Sequence, residues 1–179
     1  MTAAAVVIGI GNPFRSDDGI GPAVAAQIEE QRLPGVRVVI SDGEPTGLLE
    51  AWADADLAVV VDAIHQVPAS PGRIHRLTAG QLESGGTAAS SHGFGVPDAL
   101  RLGRALERLP ERVVIFAVEV ADTGAGTELS KPVAAALPGI AAAVMAELRP
   151  AKTAPPRTGP CQPWLSCPPA DWANPDNCP

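Results

Sequence analysis

The chain has 179 residues, of which 46% are hydrophobic and only 3% aromatic, and it carries a formal net charge of -7. This length and apolar content are typical of a single domain whose core is built from Val, Ile, Leu and Ala. The negative charge argues against a nucleic-acid partner, because phosphates attract clustered Lys and Arg.

The first half of the chain alternates strand patterns with helical patterns. Strands are predicted at Val6–Ile10, Val36–Ile40 and Leu57–Ile64, with helices at about Gly19–Gln31 and Thr46–Ala53 between them. A strand that is apolar on both faces is typical of a parallel sheet covered by helices on both sides. In such a sheet the first three strands commonly take the order two, one, three.

Two further strands are predicted in the second half. Arg73–Leu77 alternates apolar and polar residues, which predicts a half-exposed strand at an antiparallel edge of the sheet. Val113–Val118 is a continuous apolar run, which predicts the last buried strand. The pattern as a whole favours a single α/β domain with a mostly parallel sheet.

Two helices are predicted in the same half. Pro97 suits the first position of a helix, and the apolar stripe of this helix is Ala99, Leu102, Leu106 and Leu109. Pro132 opens a final helix that carries Val133, Ala136, Ile140 and Val144. Pro138 and Gly139 are expected to kink or split this helix near its first turn.

The composition changes after about residue 150 to Pro, Ala, Asn and Cys without periodicity. We therefore expect an α/β domain over residues 1–150 and a disordered tail over residues 151–179. All three cysteines, Cys161, Cys167 and Cys178, lie in the tail, with spacings that match neither a zinc ribbon nor a disulfide framework. The thiol-free core, and an N-terminus with no recognisable signal peptide or membrane span, predict a cytoplasmic protein.

Three aspartates are predicted to share one rim of the sheet. Asp18 follows the first strand, Asp42 ends the second, and Asp62 lies near the end of the third. Ligands of open α/β sheets bind at the carboxyl ends of the strands. His92 lies in a Gly-containing loop that allows a close approach to this rim. Carboxylate and imidazole ligands suit nickel or zinc, and three protein ligands leave coordination positions open.

Each candidate has a structural alternative. Asp17 and Asp18 could stabilise a helix N-terminus, and Asp42 before Gly43 is a common turn pair. His92 could be a solvated loop residue. The functional interpretation is strongest for Asp62, because a carboxylate inside a buried strand is costly unless it is paired or bound to a metal.

Other groups and other chemistries are less well supported. His65 and His75 are expected to be exposed to solvent, and Glu44 and Glu50 to be solvated or to cap helices. There is no G-x-S-x-G elbow for a serine nucleophile. The turn after the first strand lacks the third glycine of a dinucleotide-binding fingerprint.

Several short motifs occur together in a specific order: the segment from Gly9 to Gly21 (GIGNPFRSDDGIG), Ser41-Asp42-Gly43 followed by Thr46-Gly47, Val61-Asp62-Ala63, and Ser91-His92 with Gly95. In this order and spacing the chain resembles the hydrogenase maturation proteases over about residues 4–149. The resemblance implies a three-layer α/β/α fold with a twisted, five-stranded sheet. It also implies an endopeptidase that cleaves a C-terminal extension from the large-subunit precursor of nickel-iron hydrogenase after nickel insertion.

The resemblance assigns metal contacts to Asp18, Asp62 and His92, with Asp17 as the alternative to its neighbour. Nickel is then presented by the substrate rather than held permanently. Asp42 is our candidate for the general base or a substrate contact of an aspartyl-type, monomeric endopeptidase. The alternatives are a non-catalytic nickel-binding or delivery protein, and a nucleotide-binding α/β enzyme that uses Asp42 on a ribose hydroxyl.

Overall fold

The computed structural model describes residues 4–84, 89–90 and 95–149. Its strands are β1 (Ala5–Ile10), β2 (Val36–Ser41), β3 (Leu57–His65), β4 (Ile74–Thr78), β5 (Ala89–Ser90) and β6 (Arg112–Glu119). Five of them form one sheet in the order β2-β1-β3-β6-β4. The first four are parallel, and β4 pairs antiparallel with β6. The predicted five-stranded, mostly parallel sheet is confirmed, and the two-residue β5 adds a short antiparallel pairing to the end of β3.

Helices cover both faces of this sheet. They are α1 (Ile20–Glu29), α2 (Pro45–Ala51), α3 (Ala79–Ser84), α4 (Gly95–Ala105) and α5 (Lys131–Leu148). One apolar cluster joins α1 and α5 to one face, and a second joins α2 and α4 to the other. The central strands supply β-branched side chains to both clusters, because successive residues of a strand point to opposite faces. The three-layer α/β/α architecture is confirmed.

The helix α4 differs from its prediction in both ends and in its buried face. It begins at Gly95 instead of Pro97 and ends at Ala105. Its buried residues include Ala99 and Leu100. Leu106, predicted to belong to the apolar stripe, lies beyond the helix and is 51% exposed. The chain leaves the helical conformation at Glu107, which has a positive φ of 54°.

The final helix is not split. The 18 residues of α5 form one helix with Pro138 inside it. Pro138 is exposed, so the loss of its backbone N–H occurs on the solvent side, where water can satisfy the carbonyl group left without a partner. By length and composition, α5 is apolar enough to cross a membrane. Its buried residues Val133, Ile140 and Val144 nevertheless belong to the apolar cluster on the sheet, as in a core helix.

Two short elements were not predicted. Helix α3 follows β4 directly, and the pair Thr78 and Gln81 marks its start. The Gln81 side chain accepts a hydrogen bond from the Thr78 backbone N–H at 2.9 Å, and the Thr78 hydroxyl accepts one from the Gln81 N–H at 3.4 Å. This is a reciprocal capping box, a signal that the sequence Thr-x-x-Gln contains. The other missed element, β5, is only two residues long, too short for any periodicity to indicate it.

A glycine allows α1 to lie close to the rim of the sheet. A Cβ atom built at Gly21 would lie 2.1 Å from the carbonyl oxygen of Ile10 and 2.8 Å from that of Val61. A side chain there would force α1 away from the ends of β1 and β3, since backbone atoms have little room to move. Gly21 therefore allows the start of α1, and the turn before it, to approach the carboxyl ends of both strands.

Candidate active site

The turn after β1 carries Asp18 to the rim of the sheet. Residues Ser16–Gly19 form a single turn of 3₁₀ helix that contacts β3. Asp18 is 1% exposed, and its Oδ2 accepts a hydrogen bond of 2.9 Å from the backbone N–H of Asn12. The N-cap residue of α1 is Gly19, so Asp18 does not occupy the capping position that was its structural alternative. Its carboxylate is buried at the carboxyl end of β1.

The neighbouring acid, Asp17, is engaged by a different part of the chain. Asp17 Oδ1 accepts a hydrogen bond of 2.7 Å from the backbone N–H of Ser130. Asp17 Oδ2 accepts hydrogen bonds from the Ser130 hydroxyl at 3.0 Å and from the Asp122 N–H at 3.3 Å. Both oxygens thus hold the connection between β6 and α5 against the turn. Asp17 thus has a structural role in this part of the fold, and the choice of Asp18 over Asp17 as the metal contact stays a prediction.

Asp62 lies inside β3, three positions before the strand ends. It is 3% exposed, and its neighbours in the strand are Val61 and Ala63, both fully buried. Its side chain points to the face that α4 covers. There it lines a cavity of about 20 Å³ with six apolar residues: Ile64, Leu82, Val96, Pro97, Ile115 and Ala117. This volume is enough for one water-sized group. Asp62 is thus a buried carboxylate next to an apolar cavity beside α4.

Asp42 lies in an exposed turn directly after β2. Its Oδ1 accepts a hydrogen bond of 3.1 Å from the backbone N–H of Glu44, and Gly43 adopts a positive φ of 84°. Glu44 in turn caps α2 by accepting a hydrogen bond of 2.9 Å from the Gly47 N–H. Hydrogen bonds from the Thr46 side chain and from the Gly47 N–H lower the pKa of Glu44. Glu44 is a helix cap, as expected, and Asp42 occupies the predicted turn at the same rim.

His92 lies outside the described residues, so its placement stays a prediction. The chain on both sides of it is described. Ser90 in β5 pairs with Ile64 at the end of β3, and Val96 in α4 lines the Asp62 cavity. Within residues 4–84, 89–90 and 95–149, no group of three or more His, Cys, Asp or Glu side chains could hold a metal ion. The assignment of Asp18, Asp62 and His92 as a shared set of metal ligands therefore stays a prediction.

Residues 20–147 match the family model described as hydrogenase maturation protease. The chain belongs to this family. It is therefore a peptidase, in agreement with the family resemblance of its motifs. The match assigns no role to any single residue, so the roles of Asp18, Asp42, Asp62 and His92 stay predictions. No curated protein gives a significant match to the chain.

Solved structures with the same fold include several maturation proteases. The [NiFe] hydrogenase maturation protease HybD from Thermococcus kodakarensis is 21% identical, with a TM-score of 0.67 over 80% of this chain and 97% of that one. The hydrogenase maturating endopeptidase HybD from E. coli is 24% identical, with a TM-score of 0.69 over 81% and 91%. An endopeptidase from Escherichia coli solved in solution is 25% identical, with a TM-score of 0.70 over 81% and 91%.

The protease contains a further buried acid that was not predicted. Glu119, at the end of β6, is 3% exposed. Its Oε1 lies 2.7 Å from Nε2 of His75, and its Oε2 accepts a hydrogen bond of 2.7 Å from the backbone N–H of Ser70. The expected exposure of His75 is therefore wrong, because the His75 side chain is only 29% exposed and pairs with Glu119. His65 is exposed, as expected.

The Glu119 contacts predict a pH dependence of stability. The hydrogen bond from His75, the hydrogen bond from Ser70 and the charge of Arg73 lower the pKa of Glu119. Its ionised form therefore stabilises the fold above the unfolded pKa of about 4.3, and this contribution is lost as the pH falls through the lower folded pKa. We expect the unfolding free energy of the wild type to fall more steeply between about pH 5 and 3 than that of Glu119→Gln.

Urea denaturation at a series of pH values measures this difference. The variant Glu50→Gln, which changes an exposed carboxylate of α2, is the matched control and should follow the wild type. Parallel curves for wild type and Glu119→Gln would show that the Glu119 contacts do not discriminate between the protonated and ionised carboxyl.

Proposed function

We propose that this protease removes the C-terminal extension of a nickel-iron hydrogenase large-subunit precursor, and that it acts only after nickel has been inserted. Membership of the maturation protease family supports the precursor as substrate. The observation that best supports a metal checkpoint is the position of two buried carboxylates, Asp18 and Asp62, near the carboxyl ends of β1 and β3. Carboxylate oxygens at this rim are suitable ligands for a divalent cation.

In this proposal, Asp18, Asp62 and His92 bind the nickel that the precursor carries. Carboxylate oxygen and imidazole nitrogen suit this ion, and three ligands leave room for the ligands that the precursor supplies. Binding then fixes the nearby peptide bond relative to the rim of the sheet, which lowers the entropic part of the barrier to hydrolysis. The metal is part of the substrate, so its presence selects the precursors that are ready to be processed.

Hydrolysis needs a group that handles the proton of the attacking water. We propose Asp42 for this role or for a direct contact with the substrate, since it is an exposed carboxylate at the end of β2. The water oxygen adds to the scissile carbonyl carbon, its proton passes to the base, and the leaving amine takes up a proton. Normal cleavage by a folded Asp42→Asn variant would remove Asp42 from this role.

The same proposal includes a monomeric, cytoplasmic enzyme. The confinement of all three cysteines to residues 161–178 is consistent with a reducing compartment. A solution mass close to 18.3 kDa, measured by sedimentation, is expected for the monomer. A stable mass of twice this value would contradict it.

The test is incubation of the purified protein with nickel-loaded and nickel-free forms of a verified cognate precursor, with mass spectrometry of the precursor's C-terminus. Cleavage of the loaded form alone is expected. Equal cleavage of both forms would support the peptidase activity but contradict the recognition of nickel. Nickel binding without cleavage of either form would favour a metal-binding or delivery protein.

A further inference from the structure

Exposed apolar side chains of the protease are concentrated at the rim that carries Asp18 and Asp62. The described residues include five large hydrophobic side chains that are substantially exposed: Phe14, Ile40, Val67, Ile74 and Leu106. Phe14 follows β1, Ile40 is the penultimate residue of β2, and Val67 comes two residues after β3. Ile74 begins β4 opposite Val118, close to the carboxyl end of β6. Only Leu106, between α4 and the start of β6, lies at the opposite end of the sheet.

Phe14 is exposed, but the turn that carries it is well fixed. The side chain is 69% exposed. The backbone N–H of Phe14 donates a hydrogen bond of 2.9 Å to the Asn12 side chain, and its carbonyl accepts one of 3.0 Å from the Gly126 N–H. The next residue, Arg15, forms a bridge with Gly126 and donates a side-chain hydrogen bond of 3.2 Å to the Thr123 carbonyl. A rigid apolar group loses little conformational entropy when a partner covers it.

The same turn links Phe14 to the candidate site. Asn12 holds Phe14 through its side-chain oxygen, and its backbone N–H donates the hydrogen bond of 2.9 Å to Asp18 Oδ2. Asn12 thus contacts both the backbone of Phe14 and the buried carboxylate of Asp18. A partner that covers the Phe14 side chain would lie close to Asp18.

We propose that Phe14 is the main anchor of a docking surface for the folded body of the precursor, with Ile40 and Val67 as neighbouring contacts. This inference rests on the proposed function. Ile40 lies near the end of β2, Phe14 follows β1 and Val67 follows β3, so all three belong to the end of the sheet where these adjacent strands finish. Phe14 and Val67 are 69% and 98% exposed, so they project from turns instead of lining a groove. Projecting apolar groups fit a concave apolar surface on a folded protein better than an extended peptide.

A folded occupant also follows from the proposed chemistry. If the precursor's nickel must reach Asp18 and Asp62, the part of the precursor that holds the metal must approach the same rim. Aromatic side chains at the centre of an interface commonly contribute a large share of its binding free energy. The complementary surface on the precursor is therefore expected to be an apolar depression next to its metal site.

The experiment compares Phe14→Ser with Leu106→Ser, which removes an exposed apolar side chain from the opposite end of the sheet. Binding of the nickel-loaded precursor and of its isolated extension peptide is measured by interferometry, together with kcat and KM for cleavage. Phe14→Ser is expected to raise the Kd for the precursor about 30-fold, the effect of a hot-spot residue. The loss of activity should be mainly in KM, and Leu106→Ser should behave like the wild type.

Each outcome separates this inference from the proposed function. If Phe14→Ser binds the precursor as tightly as Leu106→Ser does, the docking surface is overturned. The proposed function still stands in that case, provided that the wild type cleaves the precursor. Equal weakening of precursor and isolated peptide would overturn the folded body as the occupant. If the wild type binds the precursor without cleaving it, the proposed function fails, and the Kd values of the two variants still decide whether Phe14 belongs to a docking surface. If the wild type neither binds nor cleaves the precursor, both the docking surface and the proposed function are overturned.

Discussion

Replacement of Asp62 by Asn is expected to remove cleavage of the nickel-loaded precursor without unfolding the protease. The two side chains have nearly the same shape, so the cavity beside α4 remains filled. The amide has no charge with which to bind a cation, and loss of one partner of a buried charged interaction costs about 2–5 kcal/mol. This corresponds to a decrease of roughly 30- to 5,000-fold in kcat/KM. Stability should change little, because the amide keeps the shape of the side chain.

The matched control is Asp56→Asn, which makes the same chemical change just before the other end of β3. Asp56 is exposed, so this variant should keep both wild-type cleavage and wild-type stability. Precursor cleavage is followed by mass spectrometry, and folding by circular dichroism and urea denaturation. Full activity of a folded Asp62→Asn variant would mean that the buried carboxylate serves the fold and that nickel recognition uses other groups.

The sequence contained enough information to locate Asp62 because two simple facts agree there. The run from Leu57 to Ile64 is apolar on both faces, which is typical of a central parallel strand. A carboxylate inside such a strand has no access to bulk water, so it stands out from its neighbours. The criterion also applies to Glu119, which directly follows the apolar run Val113–Val118, but the burial of Glu119 was not predicted.

The role of His75 depended on information that the sequence lacks. Alternation along Arg73–Leu77 correctly indicated an edge strand, and a histidine on such a strand is often exposed. Its contact with Glu119 depends on the antiparallel register, which places His75 opposite Ala117. A shift of one residue would turn the His75 side chain to the other face of the sheet. Pairing between elements that are 44 positions apart cannot be derived from local periodicity.

The errors in the helices have a similar cause. Pro138 was expected to divide α5, because its ring removes a backbone hydrogen bond. That expectation depends on where the proline faces, and Pro138 lies on the solvent side of a helix held to the sheet by Val133 and Ile140. The end of α4 was misplaced because Leu106 continues the apolar pattern of a helix that the backbone ends at Ala105. Tertiary packing outweighed local pattern at both places.

Asp17 and Asp18 are adjacent and both buried, but their substitution should have opposite consequences. Asp17→Ala removes the acceptor for the Ser130 N–H, the Ser130 hydroxyl and the Asp122 N–H. A fully buried donor left without a partner costs about 1–3 kcal/mol. These three hydrogen bonds are only partly buried, so each should contribute near the lower end, with a total loss on the order of 3 kcal/mol. For a domain of this size, that corresponds to a decrease in Tm of roughly 6–12 °C.

Asp18→Asn should instead keep most of the stability and lose most of the cleavage. Its amide oxygen can still accept the hydrogen bond from the Asn12 N–H, whereas the charge that would bind nickel is gone. Asp17→Asn, the conservative partner variant, retains one acceptor oxygen and should fall between Asp17→Ala and the wild type in Tm. Calorimetry and precursor cleavage on the three variants separate the roles of the two acids. If Asp18→Asn cleaves normally while folded Asp17→Asn does not, the metal contact belongs to Asp17, and Asp18 is the residue that holds the turn.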